Sequence, residues 1–282
     1  MTSAEAAESL AVLVLAALSP ALIYLAWVRR AEHYQGESWS TLLNAFAYGA
    51  IFATVTAAFL EALIVGLGTT ISQRFPGPDF VFLNGNSTAG AFFLVLVVAP
   101  FIEEALKGSG VYSYRAKFRQ VADGPVIGAS VGLGFGFFET FLYGLGAFLV
   151  GGLVAGLSLI VLRSLSSVVL HGSTTGMFGY GMARSRFGRP GAGGGSYYLL
   201  AVGMHSAFNA LASLTVILGL VGVGGVAVEA AAFVALLAAI GFAFAAIEHV
   251  RVVIQLSDYP SITGSQRYQP PAPRRPGVPP QR

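Results

Sequence analysis

Seven stretches of this chain run about 20 residues or more with few charges, long enough at 1.5 Å per residue to cross a bilayer as helices. They extend from Ser9 to Val28, Leu42 to Gly68, Ala89 to Lys107, Val126 to Gly146, Leu153 to Met182, Tyr197 to Leu218 and Val226 to Ile247. Backbone groups in lipid must bond within their own segment, and none of the stretches alternates apolar and polar residues as a barrel strand does. The fold class read from this is all-α, a polytopic transmembrane bundle of about seven helices. Composition agrees: 55% of the residues are apolar and 10% charged, an apolar excess that no soluble core absorbs.

Basic residues favour the cytoplasmic side, and here they alternate between connections. Arg29 and Arg30 follow the first stretch, Arg115, Lys117 and Arg119 the third, Arg184, Arg186 and Arg189 the fifth, and Arg251 with the tail arginines the seventh. The opposite side has Arg74. The expected topology has the N-terminus outside and the C-terminus cytoplasmic, in the cytoplasmic (inner) membrane of a bacterium, which the Ala, Gly and Arg usage also favours. The first stretch follows Glu5 and Glu8 and has no small-residue cleavage site, so it is read as a retained helix. Residues 1–256 form one helical domain, and 257–282, rich in Pro and Arg, a disordered cytoplasmic extension. The basic balance thus reflects topology and gives no reason to expect nucleic acid as a partner.

Ionisable residues at membrane depth are costly unless paired or functional. The third stretch carries Glu103, Glu104 and Lys107, the fourth Glu139, the fifth Arg163 and His171, and the sixth His205 with Asn209 one turn later. Gly128, Gly132 and Gly136 recur every four residues and put Glu139 on a face that another backbone can approach. Counting 1.5 Å per residue from the basic loops, Glu103, Glu139, His171 and His205 fall between about 12 and 20 Å from the cytoplasmic edge, one layer. Four helices are therefore expected to deliver carboxylates, imidazoles and an amide to one site. Glu61 and Arg163, both towards the outer half, are expected to form a structural ion pair. The chain has no cysteine, so any bound metal must use His and carboxylate.

Glu103-Glu104-x-x-Lys107, Gly134-x-Gly136-Phe137-x-Glu139, Arg163 with His171-Gly172, and His205-x-x-x-Asn209 together resemble the PrsW family of intramembrane proteases, related to the type II CAAX prenyl proteases and the Abi membrane proteins. The resemblance covers Pro100 to Asn209. It implies a metallopeptidase acting on a membrane-bound protein, an anti-sigma factor in the family's best-known role.

Peptide hydrolysis needs an activated water, a stabilised oxyanion and a proton for the leaving amine. Three protein ligands that leave a fourth position open make a catalytic zinc site. On this reading Glu139, His171 and His205 bind Zn2+, Glu103 takes the water proton, Asn209 donates to the oxyanion, and Glu104 orients the site or substitutes as the base. A metal-free version has Glu103 activate water while the two imidazoles polarise the carbonyl. A function of another class is a transporter or a proton or cation relay built on the same buried residues.

Overall fold

The computed structural model describes residues 2–259 apart from 76, 215, 216, 219–221 and 223. The described residues are 86% helical and include no strand. Residues 260–282, most of the expected disordered extension, and 215–216 of the sixth predicted stretch lie outside the described residues.

Helix α1 (Ser3–Arg29) opens on a capping box, in which Thr2 Oγ1 accepts from the Glu5 N–H and the Glu5 carboxylate accepts from the Thr2 N–H. Helix α2 (Trp39–Arg74) is capped by Ser38, whose hydroxyl accepts from the Thr41 N–H, and widens into a π turn at Tyr48–Ala53. Helix α3 (Thr88–Lys117) has a second π turn at Leu94–Val98, just before Pro100. Proline offers no N–H and its ring crowds the carbonyl four residues back, and the widened turn relieves that crowding. There follow α4 (Asp123–Ser164), α5 (Ser167–Arg186), α6 (Gly194–Ala212) and α7 (Val226–Ser257). Among the described residues, five helical stretches are long and apolar enough to cross a membrane: Ser3–Arg29, Trp39–Arg74, Thr88–Lys117, Asp123–Arg186 and Val226–Ser257.

The longest of these doubles back. At Gly152 the backbone takes φ 76° and ψ −174°, left-handed space open to glycine, and the chain reverses so that Gly156 packs on Gly144. Beyond the reversal the two arms lie antiparallel, with Gly128 against the Thr175 backbone and Gly132 against the His171 carbonyl. A Cβ on Gly132 would overlap that carbonyl oxygen, so the glycine spacing sets how near α5 comes to α4. On the other side of α4, Gly134 meets the Phe46 carbonyl of α2 in the same way.

One predicted element differs. The stretch from Leu153 to Met182 was expected as one helix, but it breaks at Leu165 and Ser166, between the end of α4 at Ser164 and the start of α5 at Ser167. The Ser166 hydroxyl donates to the Leu162 carbonyl at 2.8 Å, and an Arg163 N–H bridges to Ser167 Oγ at 2.9 Å. Serine side chains here compete with the helix ladder for backbone groups, an effect that averaged hydropathy conceals.

Candidate active site

Helices α3, α4, α5 and α6 bring their polar residues to one cavity of about 330 Å³, which α2 also walls. Glu103, Glu139, His171, His205 and Asn209 line it, the convergence expected from helix depth. Glu104 does not line it. It lies beneath the cavity, fully buried beside the equally buried Lys107.

Lys107 Nζ is the hub of this lower layer, 2.7 Å from Glu104 Oε1, 2.9 Å from His171 Nδ1 and 3.6 Å from Glu103 Oε2. The ammonium also sits 4.5 Å from the centre of the Phe135 ring. An ammonium can only donate, so His171 Nδ1 accepts, and the ring proton is on Nε2. That nitrogen donates to Glu139 Oε2 at 2.8 Å. The same oxygen accepts from Arg163 at 2.6 Å. The guanidinium lies 4.0 Å from the centre of the Tyr143 ring, one turn beyond Glu139 on the same face.

His205 is held the other way round. Its Nδ1 stands 3.0 Å from Glu104 Oε1, which already accepts from Lys107 and from the Thr174 hydroxyl at 3.0 Å. A carboxylate with that many donors is an acceptor, so His205 Nδ1 carries the proton and the Nε2 lone pair is left for the cavity. Nε2 is 3.9 Å from Glu103 Oε2, and that oxygen is 3.9 Å from His171 Nδ1. Glu103 Oε2 is buried and has no hydrogen-bond partner among the described residues.

One donor atom from each of Glu103, His171 and His205 lies within 4.8 Å of the others, a buried group able to hold a metal ion. The expected set of Glu139, His171 and His205 shares two members with it; Glu139 instead stands beside His171, bound to Arg163. Asn209 Nδ2 donates to the Val95 carbonyl at 2.9 Å. In the π turn the Ala99 N–H bonds to Leu94, one residue further back than in an α-helix, and this frees the Val95 carbonyl.

The expected Glu61–Arg163 ion pair is not formed. Arg163 pairs with Glu139, while Glu61 lines the cavity, its Oε1 buried and without a hydrogen-bond partner among the described residues. Both residues fall towards the outer half of their helices, and depth alone does not decide which carboxylate the second arm of α4 faces. Ser167 and Tyr143 also stand on the cavity wall, beyond the expected site residues, and the helical spacing of Tyr143 from Glu139 is the sequence signal that points to it.

A family model described as PrsW family intramembrane metalloprotease matches residues 37–240, more than two thirds of the chain and all of the cavity wall. No curated protein and no solved structure matches the chain.

Proposed function

The chain belongs to the PrsW family of intramembrane proteases, and we propose that it hydrolyses a peptide bond of a membrane protein in the cavity walled by Glu103, His171 and His205. The observation that carries this reading is the orphaned Glu103 Oε2, equidistant at 3.9 Å from nitrogens of two imidazoles. Glu with two His is a ligand set of catalytic zinc sites, which leaves a position for water or substrate.

Glu103, His171 and His205 would hold the ion, a change from the Glu139 set read from spacing. A divalent ion bound there supplies Lewis acidity, polarising the scissile carbonyl and lowering the pKa of water. Glu104 fixes the His205 tautomer so that Nε2 faces the cavity, and Arg163 with Glu139 fixes the His171 ring. Lys107 holds the His171 Nδ1 lone pair, so the ion and the ammonium compete for it. Asn209 spends one amide N–H on Val95 and keeps the second for a substrate carbonyl, the geometry wanted of an oxyanion donor.

The reversal at Gly152 supports counting the two arms of the Asp123–Arg186 stretch as separate crossings. With α6 this gives seven, N-terminus outside and C-terminus cytoplasmic, in a bacterial inner membrane. The substrate class is a membrane protein with its scissile bond near the bilayer, an anti-sigma factor being the family precedent.

The unbroken chain from Arg163 through Glu139, His171, Lys107 and Glu104 to His205 also suits a proton relay, the rival reading. Two assays separate them. Membrane proteomes with wild type and with Glu103→Ala are compared for fragments that depend on the carboxylate, and liposomes are assayed for proton or cation flux. Fragments without flux support the peptidase; flux abolished by Glu139→Ala, with no fragment, removes it.

A further inference from the structure

One role in hydrolysis is still without an occupant in this site. A Glu103 that binds metal is not the group that takes the water proton, and two other carboxylates of the site are engaged. Glu104 is sealed below the cavity and accepts from Lys107, Thr174 and His205. Glu139 Oε2 accepts from Arg163 and His171.

Glu61 remains. It reaches the same cavity from α2, a helix that contributes no other ionisable group to the wall. Its Oε1 is buried with no hydrogen-bond partner among the described residues, and its expected partner Arg163 is committed elsewhere. A carboxylate at membrane depth with no bond to stabilise the fold is an expensive residue to carry, the pattern of a group kept for chemistry. Charge points the same way. Lys107 pairs with Glu104 and Glu103 and Arg163 with Glu139, so two cations face four carboxylates counting Glu61, and a divalent ion in this site would bring the charges to balance.

We propose that Glu61 is the general base of the hydrolysis, an inference that rests on the peptidase reading. Glu61 Oε1 takes one proton from a water molecule as the water oxygen bonds to the scissile carbonyl carbon. The C–N bond then breaks and the same proton passes to the departing nitrogen, which regenerates the carboxylate with one water consumed. Placed on the α2 wall of the cavity that His171 and His205 also line, Glu61 is a catalytic residue drawn from a helix outside the Pro100–Asn209 motifs.

The test uses the full chain in its membrane, with the wild-type-dependent membrane-protein fragments as the probe. Glu61→Gln, which keeps the side-chain shape, is expected to slow fragment production at least about 100-fold while leaving metal content per chain and thermal stability as in wild type. Glu61→Asp, which restores a carboxylate, is expected to recover part of the rate with an altered pH profile. Fragments absent with Glu103→Gln but produced at the wild-type rate by Glu61→Gln would overturn the Glu61 role and leave the peptidase reading standing. Loss of metal from Glu61→Gln would also overturn it, making the residue a ligand. A Glu61→Gln chain that loses stability, with Glu61→Asp no faster, assigns a structural role and overturns it too. If wild type yields no dependent fragment, the peptidase reading fails and this inference with it.

Discussion

Glu104 Oε1 lies 3.0 Å from His205 Nδ1 in a layer closed to solvent, and this contact decides which imidazole nitrogen faces the cavity. Outer carboxylates of this kind typically tune metal affinity by about 10- to 100-fold. Glu104→Gln should therefore weaken binding of Zn2+ by that order in a titration of the purified chain, with the cavity still formed. Wild-type affinity in Glu104→Gln would mean that His205 is oriented by something else.

Lys107 is fully buried and holds Glu104 at 2.7 Å with Glu103 at 3.6 Å. Removing one partner of a buried ion pair leaves the other uncompensated, typically at about 3–5 kcal/mol. Lys107→Met should lower the thermal midpoint accordingly, by more than Arg251→Met, whose partner Glu248 is half exposed. Equal midpoints would show that the buried carboxylates are neutral and need no cation.

Gly132 allows α5 to touch α4, and a methyl group there meets the His171 carbonyl oxygen. Overpacking of this kind costs about 1–3 kcal/mol, and it displaces the backbone that carries His171. Gly132→Ala should lose stability and metal together. Gly146→Ala, where nothing lies within 4 Å, is the control expected to keep both; similar behaviour of the two variants would refute the close approach.

Much of the site was legible because helix geometry is rigid. A fixed rise per residue let loop charges place Glu103, Glu139, His171 and His205 at one depth, and they line one cavity. The glycine spacing before Glu139 foretold a close backbone approach, although not that the partner would be the His171 turn itself. Rotation and partner choice were not legible. Depth does not distinguish Glu61 from Glu139 as the partner of Arg163, nor Glu103 from Glu139 as the carboxylate nearest both imidazoles. The π turn that frees the Val95 carbonyl for Asn209 is a local widening with no trace in hydropathy.

Outside the membrane, the connection after α1 is latched to the end of α7. Asp258 accepts from the backbone N–H groups of His33, Tyr34 and Gln35 and from the Gln120 amide. Burial would raise its pKa, but these donors outweigh it and hold the carboxyl below its usual value. The latch is therefore present above the unfolded pKa of about 3.9 and is lost only as pH falls below that range. In the same connection, burial pushes the Glu32 carboxyl up to about 8. With the folded value raised, its stabilising contribution is full below the unfolded pKa and disappears as pH rises through about 8. The thermal midpoint should fall between about pH 5 and about pH 8 in wild type, and less in Glu32→Gln. An equal fall in both would rule out Glu32 as the cause.

Glu103, His171 and His205 are proposed to form the metal centre of a membrane peptidase. Elemental analysis of the purified full chain tests it most directly. About one divalent transition metal per wild-type chain is expected, lost in each of Glu103→Ala, His171→Ala and His205→Ala and kept in Asn209→Ala. A folded Glu103→Ala chain that retains its metal, or a wild-type chain that cleaves membrane proteins without any, would contradict it.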